Sequence, residues 1–316
     1  MAINILLLLV GMALLVKGAD WFVSGSSALA KALKIPSLVI GLTLVSMGTS
    51  APEASVSINS AINGMNDMSL GNVVGSNIFN TLLILGVSSL IVPLSVSKEL
   101  KRYDIPIMVC LYGVLLLFAF VITPLTLDIF ESITMLVLFV GYTAFLIIRT
   151  KKSNAPQTSQ EDDGKKKKPL WLSIILAIIG LAGIIFGGDL VVDNAAELAK
   201  AAGMSETLVG LTIVAVGTSL PELVTSVVAS IKKENDIAIG NVIGSNIFNV
   251  VFILGLSSSI SNLTLGWSAL VDLLVMLVSG IIILLISLFS EKMQRWQGAI
   301  TLLLYVAYLT YIIIRN

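Results

Sequence analysis

The sequence states its main motifs twice. Gly41–Glu53 reads GLTLVSMGTSAPE and Gly210–Glu222 reads GLTIVAVGTSLPE, while Gly71–Asn80 reads GNVVGSNIFN and Gly240–Asn249 reads GNVIGSNIFN. Both pairs are separated by 169 residues, so the interval between the two motifs is preserved as well. Each copy sets one acidic residue, Glu53 or Glu222, into an otherwise apolar stretch. The chain therefore has to fold as two like halves, each accommodating a carboxylate. Duplicated carboxylates in apolar segments point to cation handling.

Charged residues make up 12% of the chain and hydrophobic ones 56%, with a mean hydropathy of +1.00. A soluble domain of 316 residues needs far more charge to cover its surface, so a polytopic membrane protein is expected, with the lipid bilayer as its surroundings. A net charge of zero removes a nucleic-acid partner. The single cysteine, Cys110, forms no internal disulfide. The chain has no histidine, which excludes His-ligated zinc, copper or haem and leaves oxygen ligands from Glu, Asp, Asn, Ser, Thr and the backbone. The first apolar stretch resembles a signal peptide in position only. It has no basic n-region, and its Gly18-Ala-Asp20 recurs as Gly187-Gly-Asp189, so it is expected to belong to the mature fold.

Apolar stretches near residues 3–28, 36–62, 70–94, 104–124 and 127–149 are followed by others near 170–198, 205–231, 238–261, 268–289 and 296–314. About 20 residues suffice to span a bilayer. The expected fold is an all-α polytopic membrane protein with ten transmembrane helices. Residues 1–149 form one half, 170–316 the other, and 150–169 a linker whose surrounding sequence, RTKKSNAPQTSQEDDGKKKK from Arg149 to Lys168, cannot enter lipid. An odd number of spans per half inverts the second copy, giving two inverted five-helix repeats with a site at their interface. With the N- and C-termini outside, 16 of the 19 basic residues fall in cytoplasmic loops, the central linker among them. The competing reading is a duplicated scaffold without a transport role.

Ser46, Ser50, Glu53 and Ser57 fall at helical offsets 0, 4, 7 and 11 and form one polar stripe, which the second copy repeats as Ala215, Ser219, Glu222 and Ser226. Such a stripe is expected to face protein or water. Pro52 and Pro221 precede the glutamates. A mid-helix proline removes one amide and clashes with the carbonyl four residues back, here Gly48 or Gly217. Carbonyls around Gly48–Thr49 and Gly217–Thr218 are therefore expected to be freed for a cation, against the plainer reading of a kinked helix. In the second motif Gly71 and Gly75 match the small-residue pattern of closely packed membrane helices. Ser76 and Asn80, and Ser245 and Asn249, share a face as candidate ligands. Asn77 and Asn246 are open to a second reading, as hydrogen-bonding links between helices.

The candidate site thus holds Glu53, Glu222, Thr49, Thr218, Ser50, Ser219, Ser76, Ser245, Asn80, Asn249 and Ser46. Calcium takes about six to eight hard oxygens in flexible geometry, which this supply matches better than it matches magnesium's strict octahedron. Sodium, similar in radius and half the charge, can use the same oxygens, and competition between the two ions is a physical basis for exchange.

In these motifs the chain resembles the cation/calcium exchanger superfamily, specifically its sodium/calcium exchanger branch, over essentially its whole length. The resemblance implies a secondary antiporter of the inner (plasma) membrane, not an enzyme, with calcium and sodium as transported ions and no cofactor. It implies calcium held between Glu53 and Glu222 with the carbonyls of Thr49 and Thr218, and sodium sites built with Ser50, Ser219, Ser76 and Ser245. It also implies three sodium ions exchanged for one calcium. A monomer is expected. The linker is too short for a regulatory calcium-binding domain, which points to a bacterial or archaeal source. Some relatives carry Asp where this chain has Asn80 or Asn249, which leaves sodium number and potassium use open, and Ser46 is matched by Ala215.

Asp20 and Asp189 close their apolar runs and are expected at helix ends, with Lys17 pairing Asp20 at i,i+3. Asp67 and Asp236 are expected in loops or as N-terminal capping residues of helices. The nearest rival function is a proton/calcium antiporter, whose relatives place an acid inside the Gly-Asn motif; Gly71-Asn-Val-Val and Gly240-Asn-Val-Ile have none. An intramembrane aspartyl protease would need facing aspartates, which Asp20 and Asp189, on opposite sides, do not supply. A passive channel suits inverted halves with broken helices less well than an alternating-access carrier.

Overall fold

The computed structural model describes residues 1–122, 125–152, 169–204 and 215–315. Among the described residues, eight helices are long and apolar enough to cross a membrane, and shorter ones lie between them. In chain order the elements are α1 (Ala2–Leu33), α2 (Ser37–Thr49), α3 (Ala51–Ile62), α4 (Asn66–Ile91), β1 (Leu94–Ser95), α5 (Leu100–Phe120), β2 (Thr126–Leu127) and α6 (Ile129–Lys151). Then follow α7 (Leu170–Ala201), α8 (Leu220–Ile231), α9 (Asn235–Ile260), β3 (Leu263–Thr264), α10 (Trp267–Phe289), β4 (Lys292–Met293) and α11 (Arg295–Arg315). Helices predominate because lipid offers backbone groups no partner, so each segment must satisfy its own. Outward residues such as Ile5, Leu9, Trp171, Ile178 and Phe289 are exposed and apolar, as a lipid-facing surface requires.

The all-helical expectation needs one correction. Two-residue strands pair antiparallel, β1 with β4 through Leu94–Met293, and β2 with β3 through Thr126–Thr264. Each pair fastens a loop of the first half to a loop of the second. The loops are short and leave the helices extended, so main-chain pairing satisfies groups that no helix can.

The stretch expected as one span at 36–62 is two helices. The chain breaks at Ser50, with φ −82° and ψ 9°, and restarts as α3 with Pro52 in its first turn, where a missing N–H costs nothing. Ser219 repeats this with φ −93° and ψ 6° before α8. The break thus falls after the Gly-Thr pair rather than within it. The remainder of the expected 205–231 span, at 205–214, lies outside the described residues, as does 153–168 of the linker.

α1 and α7 are each 32 residues, about 48 Å at 1.5 Å per residue, longer than a bilayer core and therefore tilted or protruding. They run antiparallel along a glycine seam. A Cβ at Gly11 would lie 2.9 Å from Gly187 O, one at Gly18 2.8 Å from Gly180 O, and one at Gly25 2.6 Å from Ala177 N, so only glycine permits this approach. The seam places Asp20 and Asp189 about 16 Å apart along the pair, eleven residues of helix rise. Both sit well inside their helices, not at the ends, because the helical backbone continues past the apolar run. Lys17 does bond Asp20, at 3.3 Å, and Lys232 reaches the same carboxylate from the end of α8.

The larger core joins α4, α5, α9 and α10 through Val73, Ile78, Met108, Ile243, Ile247 and Met276; a smaller one lies under α1 and α7. The close approach expected of the second motif is present at Gly244, where a Cβ would meet Leu42 Cα at 2.8 Å. Among the described residues nothing lies within 4 Å of such an atom at Gly71 or Gly75.

Candidate ion-binding site

Glu53 and Glu222 occupy the first turns of α3 and α8, where a helix N-terminus favours negative charge. Both are fully buried. Each takes its hydroxyl partner from the other half: Ser50 Oγ donates to Glu222 Oε1 at 2.8 Å, and Ser219 Oγ donates to Glu53 Oε1 at 2.9 Å. The broken-helix corner makes this possible, since Ser50 and Ser219 stand at the breaks and face across the interface. Ser76 joins Ser219 at 3.1 Å, while Thr49 and Ser245 stand near the Glu222 carboxyl with their hydroxyls bonded elsewhere, Thr49 to Asn241 at 3.1 Å and Ser245 to Ser46 O at 3.4 Å. The two carboxyl groups repel each other across the site.

A second layer holds the first. Asn72 Nδ2 donates to the Glu53 carbonyl at 3.2 Å and to Ser57 at 2.9 Å; Asn241 Nδ2 donates to the Glu222 carbonyl at 3.4 Å and to Ser226 at 2.9 Å. Their amide oxygens accept from the opposite half, Asn241 from Thr49 at 3.1 Å and Asn72 from Thr218 at 3.4 Å. Sequence reasoning passed over Asn72 and Asn241, although both stand in the repeated Gly-Asn pair.

The expected ligands Asn80 and Asn249 lie where α4 and α9 widen into single π-helical stretches, Phe79–Ile84 and Asn249–Leu254. Asn80 Nδ2 bonds Asn246 Oδ1 at 3.1 Å and Asn249 Nδ2 bonds Asn77 Oδ1 at 3.0 Å. Asn77 and Asn246 thus link the halves, the helix-to-helix reading. Ser46 is set apart: its hydroxyl donates to Thr43 O at 3.2 Å within α2, while its carbonyl accepts from Ser245 at 3.4 Å. The side chain of its counterpart Ala215 lies outside the described residues. The structure therefore brings Glu53, Glu222, Ser50, Ser219, Ser76, Thr49 and Ser245 together, places Asn80, Asn249 and Thr218 in the adjoining network, and leaves Ser46 pointing along its own helix.

Four buried oxygens in this region have no hydrogen-bond donor among the described residues: Oε2 of Glu53, Oε2 of Glu222, Oδ1 of Asn80 and Oδ1 of Asn249. All four are acceptors, two from each half. Buried carboxylates without a positive partner are strongly unfavourable, so this constellation suits a cation.

A polytopic helical protein with a buried carboxylate pair shared between duplicated halves is an intramembrane ion-handling protein. The particular family follows from comparison. The sodium/calcium exchanger protein family matches residues 3–148 and 172–314, and the chain belongs to that family of membrane antiporters. It is 36% identical to the putative antiporter CaxA of Alkalimonas amylolytica, over 98% of each chain. It is 33% identical to the sodium/calcium exchanger MaX1 of Methanosarcina acetivorans, over 97% of each. Its fold superposes on the solved sodium-calcium exchanger NCX_Mj with a TM-score of 0.86 and 31% identity, covering 98% of both chains.

Proposed function

We propose that this protein exchanges sodium for calcium across the inner membrane by alternating access, with calcium held between Glu53 and Glu222. The observation that carries the reading is the set of four acceptor oxygens without a donor among the described residues, contributed equally by the two halves. The two carboxylates bring a charge of −2, which one calcium ion neutralises, and two amide oxygens add neutral ligands. Ser50, Ser219, Ser76, Ser245, Thr49 and Thr218 surround them as further oxygens for calcium or for sodium in adjoining positions. Ser46 contributes through its carbonyl, which accepts from Ser245 at 3.4 Å.

The architecture of the proposal is ten spans in two inverted repeats, α2 with α3 forming one broken span and α8 closing its counterpart. Loop contacts between the halves support it by joining loops assigned to the same side. β1 pairs with β4 and Lys101 reaches Ser290 O at 2.6 Å on the cytoplasmic side; β2 pairs with β3 and Asn66 reaches Asn262 O at 3.0 Å on the outer side. This orientation keeps both termini outside and the linker cytoplasmic. The protein acts as a monomer, with the site complete within one chain.

Sodium is favoured over protons as the driving ion because Asn72 and Asn241, not acids, stand beside the glutamates and bond their carbonyls. Calcium-45 uptake into reconstituted vesicles loaded with sodium, potassium or choline, with and without a pH gradient, tests the reading. Uptake that requires internal sodium supports it. Uptake driven by protons alone, or by no countergradient, overturns it.

A further inference from the structure

We infer that Asn77, Thr81 and Asn246 are positioning residues that fix which end of the Asn80 and Asn249 amides faces the ion, and thereby set the calcium affinity of the site. The inference rests on the exchanger reading above. A carboxamide carries an acceptor oxygen at one end and an NH2 donor group at the other. Rotated by half a turn, the same side chain repels the cation it was placed to bind.

Two chains of hydrogen bonds remove that freedom. The first starts at the main-chain carbonyl of Asn77, which can only accept. Thr81 donates its one hydroxyl proton there at 2.7 Å, so its oxygen is left to accept Asn246 Nδ2 at 2.8 Å. Asn246 must then turn Oδ1 the other way, where it takes Asn80 Nδ2 at 3.1 Å. The Asn80 oxygen is thereby left without a donor among the described residues. The second chain starts at the main-chain carbonyl of Asn246, which accepts Asn77 Nδ2 at 3.2 Å; Asn77 Oδ1 accepts Asn249 Nδ2 at 3.0 Å, and the Asn249 oxygen is left without a donor among the described residues. All five side chains are buried, so water does not compete for these bonds.

The polarity of both ligands is thus dictated by carbonyls that cannot donate. The chains are unequal, because Val250 stands where the repeat would place a second Thr81. The first relay therefore depends on a hydroxyl that a single substitution removes. A reversed amide replaces a partial negative charge with a positive one, and this penalises a divalent ion more than a monovalent one.

The test compares wild type, Thr81→Val, Thr81→Ser, Asn80→Ala and the Thr81→Val/Asn80→Ala pair in sodium-loaded vesicles, reading half-saturating calcium and maximal rate separately. Thr81→Val is expected to raise half-saturating calcium about tenfold with the maximal rate little changed, and Thr81→Ser to bring it back to within about twofold. Once Asn80 is alanine, Thr81→Val should add nothing, since the residue acts through that amide. An equal penalty in both backgrounds, or a loss confined to maximal rate, overturns the relay. If Thr81→Val is not recovered folded, Asn77→Ala against Asn249→Ala poses the same question of the second chain by the same criterion. Wild type without sodium-driven uptake sinks the exchanger reading itself, an outcome distinct from a relay that fails in a working exchanger.

Discussion

The hydroxyl of Ser50 donates to Oε1 of Glu222 at 2.8 Å, and Ser219 returns the same bond to Glu53 at 2.9 Å. In both bonds donor and acceptor belong to different halves. The bond from Thr49 to Asn241 and its counterpart from Thr218 to Asn72 obey the same exchange. The site is therefore a property of the interface, and each carboxylate is oriented by a hydroxyl that the opposite half supplies.

Replacing either glutamate by glutamine removes one of two charges while keeping shape. Glu53→Gln and Glu222→Gln should each weaken calcium binding by roughly 100-fold or more, the scale of breaking a buried charge pair. Thermal melting of the purified protein reads this directly. Calcium at about 100 times its dissociation constant should stabilise wild type by about 2.7 kcal/mol, and chelation should reverse it. Glutamine variants that melt identically to wild type across a calcium series would remove these residues from the site.

The two serines should differ in weight. Ser50 bonds Glu222 alone across the site, whereas Ser219 bonds both Glu53 and Ser76. Ser219→Ala should therefore raise half-saturating calcium more than Ser50→Ala, with losses of about tenfold and a few-fold for hydrogen bonds to charged groups. The reverse order in calcium-45 uptake contradicts this arrangement.

Arg149 clamps the end of α6 to α5, bonding both oxygens of fully buried Asp104 at 3.1 and 3.0 Å, while Tyr142 bonds the same carboxylate at 3.1 Å. Arg315, Asp272 and Tyr308 build the counterpart between α11 and α10, with 24% and 17% of the two charged side chains exposed. Arg149→Met leaves a buried carboxylate unpaired and should cost about 3 kcal/mol, more than Arg315→Met at its wetter site. Comparative melting in detergent gives the order, and Asp104→Asn added to Arg149→Met should recover part of the loss.

The glycine seam makes a steric prediction. Gly18→Val sets its Cβ within 2.9 Å of the α7 backbone and should destabilise by about 1–3 kcal/mol, the usual range for overpacking. Gly141→Ala, on an exposed stretch of α6 with open space around it, should leave the melting temperature unchanged or slightly raised. Equal effects of the two substitutions would mean that the seam does not hold α1 against α7.

Much of this was legible beforehand for a physical reason. Glu53 and Glu222 stand out because an acid in an apolar stretch has few innocent explanations, and Ser50 and Ser219 because they share the glutamates' helical stripe. What a repeat offset cannot reveal is which half's serine meets which half's glutamate, because sequence periodicity holds no register between separate helices. The break at Ser50 rather than Gly48 has a similar cause: proline forbids a hydrogen bond, and the chain then chooses where to bend. Gly11, Gly18 and Gly25, seven apart, were visible but unread. Arg149, grouped by composition with the polar linker, turns back instead onto an aspartate 45 residues earlier.

The crossed serine–glutamate bonds have a consequence for inheritance. A substitution near Ser50 is felt first at Glu222, so the two halves cannot drift apart freely after duplication. Each constrains the other's mutations across a gap of 172 or 166 residues. Where the copies have nonetheless diverged, as Thr81 from Val250 and Ser46 from Ala215, the change falls outside the reciprocal bonds. Those positions mark where two once equivalent halves became free to take separate tasks.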